Sequence, residues 1–236
     1  MSKRAIILAG GKGTRLHPYT VVLPKPLMPI GEFPILEVIV KQLAISGFSH
    51  ITMAVNHQAE IIKAFFMDGR KWGIHIDYSL EYKALGTMGP LKLIKDLPDD
   101  FLVMNGDILT DINYSDFYDT HVQHNEIFTI SSYVREQVVD YGVIEAVDDY
   151  LIRLEEKPRL NYEVSMGVYM VSKRAVNFVP VDIAYGFDHM MDDLVVAKEK
   201  ISVRKFSGYW LDIGRPDDYI QAIDEFESMR STFLGE

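Results

Sequence analysis

The sequence contains no cysteine. Disulfide frameworks, thiolate metal centres and cysteine nucleophiles are therefore excluded. No apolar run approaches the roughly 20 residues that a membrane-spanning helix requires. The opening run Ala5–Ala9 (AIILA) meets two glycines and is too short for a secretory leader. A soluble, cytoplasmic protein is the expectation. Positive charge is scarce: Lys plus Arg is 24 against 34 Asp plus Glu, a formal net charge of −10. With no basic stripe, that balance argues against nucleic acid and anionic membranes as partners. It does not argue against small anions, which a few local cations can hold. Familiar phosphate motifs are missing as well. The P-loop pattern G-x-x-x-x-G-K-[ST] is absent, and the dinucleotide fingerprint fails because Leu16 stands where its third glycine should be. There is no G-x-S-x-G elbow, no Pro/Gly/Ser-rich linker and no internal repeat.

What is present is ordinary for a globular protein. The 236 residues are 48% hydrophobic and 25% charged, enough for one sizeable domain. Strand patterns at Ala5–Ala9, His50–Val55, Gly73–Tyr78 and Phe101–Asn105 alternate with helical patterns at Pro34–Ser46, Gln58–Met67 and Gly89–Lys95. This alternation predicts an α/β domain with a mainly parallel sheet flanked by helices. Beyond about residue 125 the runs Ile127–Arg135, Gly142–Ala146, Leu151–Glu155 and Met166–Val171 are joined by short connections, which predicts antiparallel strands. Helical patterns return at Asp188–Lys198 and Pro216–Met229.

The most informative segment is Leu8–Ile30, LAGGKGTRLHPYTVVLPKPLMPI. A buried strand runs directly into Gly10, Gly11 and Gly13. Free N–H groups in such a loop can bind a phosphate oxyanion, and Thr14 adds a hydroxyl. Lys12, Arg15 and Lys25 place three cations around one loop of an acidic chain. Pro24 and Pro26 restrict the backbone on either side of Lys25. A second candidate centre is Asn105-Gly106-Asp107, at the end of a buried strand where open α/β sheets bind ligands. A third is Asp212, within Tyr209-Trp210-Leu211-Asp212-Ile213-Gly214. Two carboxylates without thiolates suit a hard cation such as Mg²⁺, although a lone Gly-Asp turn is more often only a turn.

The segment GGKGTRLHPYTVVLPKPLMPI closely resembles the opening of the sugar-1-phosphate nucleotidylyltransferases, and later segments agree in the same order. The resemblance implies a Rossmann-like nucleotidyltransferase fold over residues 1–236, with 1–125 mainly binding nucleotide and a β-rich part in 126–236 mainly binding sugar phosphate. It further implies that Leu8, Ala9, Gly10, Gly11, Gly13 and Thr14 wrap the NTP, that Arg15 clamps phosphate and that Lys25 lies near the α-phosphate. Asp107 and Asp212 match the metal-binding aspartates. Arg15, Lys25 and Asp107 are the implied catalytic groups. The stretch from Glu81 through Gly86 to Pro90 resembles the loop beside the base. Gly142, Glu156 and Lys157 resemble sugar-phosphate contacts, with Gly142 offering backbone, Glu156 accepting from hydroxyls and Lys157 holding phosphate. Ser165 stands where the family usually has Asn, so its shorter reach changes that sugar contact.

The expected reaction is therefore NTP plus sugar 1-phosphate giving NDP-sugar and pyrophosphate with Mg²⁺, in nucleotide-sugar and cell-surface polysaccharide biosynthesis. LGTMGPL and GYWLDIGRPDDY look most like the guanylyl-transferring, mannose-1-phosphate branch, which points to GTP with mannose 1-phosphate or a related hexose or heptose phosphate. The alternatives are a UTP-, CTP- or dTTP-dependent glucose-1-phosphate enzyme, and a non-catalytic nucleotide-sugar-binding subunit. The family allows a homodimer. No hexapeptide repeat follows the last helix, so assembly through such a domain is not expected. Several side chains have plainer expectations: Asp111 and Thr87 as helix N-caps, His121 and His124 on a surface helix, Asp188, Asp192 and Asp193 at a helix start, and Tyr209 and Trp210 in the core.

Overall fold

The computed structural model describes residues 2–235. In chain order its elements are β1 (Lys3–Leu8), β2 (Pro29–Ile30), β3 (Phe33–Pro34), α1 (Ile35–Ile45), β4 (Phe48–Val55), α2 (Ala59–Phe66), β5 (His75–Leu80), β6 (Asp100–Asn105), β7 (Ile108–Thr110), α3 (Tyr114–His124), β8 (Phe128–Val138), β9 (Gly142–Val147), β10 (Tyr150–Glu156), β11 (Arg159–Ser172), α4 (Phe187–Val196), β12 (Ile201–Phe206), β13 (Trp210–Asp212) and α5 (Pro216–Leu234). One seven-stranded sheet has the order β12-β8-β11-β6-β1-β4-β5. β1 pairs in parallel with β4 and β6, and β4 with β5. β11 runs antiparallel to both β6 and β8, while β12 is parallel to β8. The predicted antiparallel strands β8 and β11 thus extend the same sheet, whereas β9 and β10 form a separate two-stranded ribbon, as do β7 with β13 and β2 with β3.

The continuous apolar runs of β1 and β6 follow from burial on both faces. Ala5, Ile7, Leu102 and Met104 pack on one side with α1, α2, α3 and α5, through residues such as Leu36, Phe66, Tyr114 and Phe226. Ile6, Phe101 and Val103 pack on the other with Met88, Leu91 and, from α4, Met190 and Leu194. The parallel strands β1, β4 and β6 end together at Leu8, Val55 and Asn105.

Several local expectations change. Gly89–Leu93 is a 3₁₀ turn rather than an α-helix. The N-cap of α3 is Asn113, whose side chain accepts from the Asp116 amide. Asp111 instead accepts from the Tyr209 amide at 2.7 Å and so ties two loops together. Thr87 does not cap the turn that follows it. Its hydroxyl accepts from the Phe187 amide at 2.8 Å, at the start of α4. His121 is buried rather than on a surface: Nδ1 lies 2.7 Å from Thr129 Oγ1 and Nε2 lies 3.3 Å from Asp100. Tyr209 and Trp210 pack against the core as expected.

Candidate active site

The first loop leaves β1 at Leu8 and is tied to its own return. The Leu16 amide donates to the Gly13 carbonyl at 2.9 Å, and the Thr20 hydroxyl donates to the same oxygen at 2.7 Å. At Gly10 an added Cβ would stand 3.1 Å from Glu81 Oε1, so the loop backbone passes close to that carboxylate. Lys25 begins a 3₁₀ turn, Lys25–Leu27, and is buried. Its ammonium is paired with Asp107 Oδ2. Arg15 is exposed and reaches towards Gly214, where an added Cβ would lie 3.5 Å from its Nη1.

The two aspartates are far apart in sequence and adjacent in space. Gly106 donates its amide to the Leu8 carbonyl at 3.0 Å, which holds Asp107 beside the end of β1. β7 then pairs antiparallel with β13, with Asp212 opposite Ile108. The Ile213 amide donates to the Asp107 carbonyl at 3.1 Å. Burial and the neighbouring Asp107 push the Asp212 carboxyl above its ordinary pKa, while Lys25 and Arg15 pull the other way and Asp218 adds to the rise. Asp107 Oδ1 is buried and has no hydrogen-bond partner. Two neighbouring carboxylates, one with an orphaned oxygen, are a donor set that fits a hard divalent cation.

Each member of this pair lines a cavity of its own. One, of about 300 Å³, is lined by Leu8, Gly10, Gly11, Glu81, Gly86 and Asp107, together with Asn56, Ala84, Leu85, Thr87, Pro90 and Asn105. Burial raises the Glu81 pKa, and the Leu85 amide, donating to Oε2 at 3.3 Å, works against the rise. Gly86 lines the cavity, but its glycine is required on the other side. It has φ +77°, and an added Cβ would lie 2.8 Å from the Tyr185 carbonyl. The second cavity, of about 830 Å³, is lined by Arg15, Asp212 and Gly214, by Arg135, Tyr162, Glu163 and Val164 from the β8–β11 ribbon, and by Arg215 and Asp218. Asp107 faces the first space and Asp212 the second.

Residues 4–229 match the nucleotidyl transferase family. The chain belongs to that family. It is 33% identical over 241 residues to UTP–glucose-1-phosphate uridylyltransferase of Synechocystis, which covers 93% of this chain and 62% of the relative. It is 32% identical over 226 residues to mannose-1-phosphate guanyltransferase of Yarrowia lipolytica, covering 92% of this chain and 62% of the relative. The chain thus spans less than two thirds of the length of these relatives. Among solved structures, HddC from Yersinia pseudotuberculosis complexed with GMP-PN superposes with a TM-score of 0.71 at 26% identity, covering 95% of this chain and 99% of that one.

In this family member the remaining sites from the sequence fall in two groups. Gly142 and Glu156 face one another across the β9–β10 ribbon, and the Lys157 amide donates to the Tyr141 carbonyl at 3.2 Å at its base. None of the three lines either cavity. Ser165 does not line them either, because its hydroxyl donates to Tyr169 at 3.0 Å and accepts from the Gly167 amide at 3.3 Å. Its neighbours Glu163 and Val164 line the larger cavity instead. Arg135 and Arg215 also line that cavity and were not foreseen. Arg215 had a usable signal, three residues beyond Asp212. Arg135 had none, because one arginine in the exposed end of a strand looks like any solvated charge.

Proposed function

We propose that the chain transfers a nucleotidyl group from an NTP to a sugar 1-phosphate, releasing pyrophosphate. We further propose GTP as the donor and mannose 1-phosphate, or a related hexose or heptose 1-phosphate, as the acceptor. The observation that carries this reading is the Lys25–Asp107–Asp212 group, with Asp107 lining a cavity shared with the Gly10–Gly11 backbone and Glu81, and Asp212 lining one that holds three arginines together with Glu136, Glu163 and Asp218. Such a layout suits two anionic substrates that must meet end to end. The division into a nucleotide-binding 1–125 and a sugar-phosphate-binding 126–236 belongs to the same reading.

The chemistry asks little of a base, since a phosphate monoester is already anionic near neutral pH. The sugar-phosphate oxygen attacks the α-phosphorus and pyrophosphate leaves from the opposite side. The chain's work is to hold two polyanions in line and to offset growing charge. Amides of the Gly10–Gly13 loop and Thr14 bind the triphosphate, Arg15 takes the pyrophosphate, and Lys25 moves from Asp107 to the α-phosphate. Arg135, Arg215 and, from the ribbon, Lys157 receive the sugar phosphate. Asp107 and Asp212 would hold a divalent cation, Mg²⁺ in this reading, which would supply Lewis-acid neutralisation of phosphate charge.

Glu81 supports GTP. Guanine offers adjacent N1–H and amino donors to a carboxylate, whereas uracil and thymine offer one N–H between two carbonyls that a carboxylate repels. A pocket built to accept hydrogen bonds rejects a base that cannot supply them. The second reading, UTP with glucose 1-phosphate, is favoured by the name of the Synechocystis relative. A grid of five NTPs against mannose, glucose and heptose 1-phosphates with Mg²⁺, scored by pyrophosphate release, tests both. Turnover confined to GTP supports the proposal, and turnover confined to UTP overturns the donor assignment. An empty grid alongside tight nucleotide binding points to a non-catalytic subunit.

A further inference from the structure

At the other end of the parallel strands lies a cluster that the reaction does not use. In the register of the sheet, Arg4 is opposite His50, His50 is opposite His75, and Thr52 is opposite Asp77. Partners and alternate residues share a face, so all five side chains stand on one side of the sheet. His50 Nε2 is 3.0 Å from Asp77 Oδ2, and the two imidazole centroids are 4.7 Å apart. Ligand atoms of His50, His75 and Asp77 all lie within 4.8 Å of one another. Among the described residues no other trio of potential ligands does so. Asp77 Oδ1 is buried and has no hydrogen-bond partner.

We infer that His50, His75 and Asp77 bind a late first-row divalent cation, Zn²⁺ in the first instance. Two imidazoles and one carboxylate are a borderline donor set that suits Zn²⁺ and Co²⁺, whereas Mg²⁺ and Ca²⁺ call for oxygen throughout. His75 is exposed, so water can complete the coordination. Arg4 does not block the site. Its guanidinium is held by Thr52 Oγ1 at 3.0 and 2.7 Å and by the Asp96 carbonyl at 3.0 Å, and it meets only Oδ2 of Asp77, at 3.5 Å. His50 lies five residues before the end of β4 at Val55, roughly 16 Å from the candidate active site at about 3.3 Å per residue. The ion would bridge β4 to β5, the edge strand of the sheet, and stabilise that edge rather than take part in transfer.

The test uses untagged protein stripped with a chelator. Titration with Zn²⁺ is expected to raise Tm, and one equivalent of Co²⁺ is expected to develop the visible absorption of a low-coordinate nitrogen–oxygen site. His75→Ala, at an exposed position, and Asp77→Asn, which keeps the shape, should both lose that equivalent. A cation taken up at Asp107 and Asp212 would persist in both variants, which separates the two sites. The inference is overturned if wild type shows no such spectrum, or if His75→Ala shows an identical one.

Discussion

On the proposed nucleotide flank, Lys25 and Glu81 are buried and lie beside strands packed on both faces. On the proposed sugar flank, every residue of β10 is exposed, including Ile144-facing Leu154 at 58%. The ribbon grows from the β8–β11 pair, where the Val139 amide donates to the Pro158 carbonyl at 3.1 Å, and is held by its own antiparallel ladder. A lone two-stranded ribbon is marginally stable in water. The contrast teaches that the two proposed substrates meet unlike partners. In the proposed reading the NTP would meet a packed setting, whereas a sugar phosphate at Gly142, Glu156 and Lys157 would meet an exposed two-stranded ribbon.

The sharpest way to break this contrast is Asp107→Ala. It should lower kcat by more than ~100-fold, the order found when one electrostatic stabiliser is removed. Tm should also fall, because the buried Lys25 ammonium loses its ion-pair partner and keeps only the neighbouring charge of Asp212, so kcat is read well below the variant's Tm. Near-normal pyrophosphate release would remove Asp107 from the mechanism. Glu81→Gln comes next. It should cut the preference for GTP over UTP by about 10–100-fold, since one acceptor becomes a donor. The same change should raise Tm near pH 7. A carboxyl whose folded pKa is raised above the ordinary 4.5 loses stability as pH climbs through that interval, and Gln does not. GTP affinity of the wild type should fall as acid protonates Glu81. An unchanged GTP/UTP ratio in Glu81→Gln would remove this residue from base selection.

Lys157→Ala is expected to be milder, raising KM for the sugar phosphate about 10-fold with kcat and NTP affinity kept, the pattern of lost uniform binding. An equal fall in kcat would place Lys157 at the reacting centre and erase the contrast between flanks. The smallest effect concerns the packed side of the molecule. Burial lowers the His121 pKa below its ordinary 6.5, with Asp100 opposing. The unfolded chain then takes up the proton first, so stability should decline as pH falls below about 6.5. His121→Gln should flatten that slope in thermal melts from pH 7 to 5, and an unaltered slope would show that His121 does not govern it.

Legibility followed the same division. β1, β4 and β6 could be read because burial on both faces leaves uninterrupted apolar runs that end in glycine or asparagine. β7 and β13 could not, since three residues carry no period, yet their pairing is what brings Asp107 and Asp212 together. β12 escaped notice because Ile201–Phe206 mixes apolar and basic residues at an edge. Lys25, Asp107 and Asp212 stood out by motif, and the structure brings them to one place. The roles read for Asp111 and Thr87 failed for a common reason: each oxygen serves a backbone amide about 100 residues away, at 98 and 100 positions, and no local pattern reports such a partner.

The pairing of Lys25 with Asp107 has one more consequence. Without ligands, the pocket is its own counter-ion, so neither group is left as a bare buried charge. Filling it is then an exchange. In the proposed reaction Lys25, with three N–H donors, would share its charge between Asp107 and a phosphate, and a cation on the unpartnered Oδ1 would loosen the ion pair further. Anion and cation should therefore each tighten the other's hold, and a nucleotide offered without a divalent ion, or the ion without a nucleotide, should bind less well than the two together.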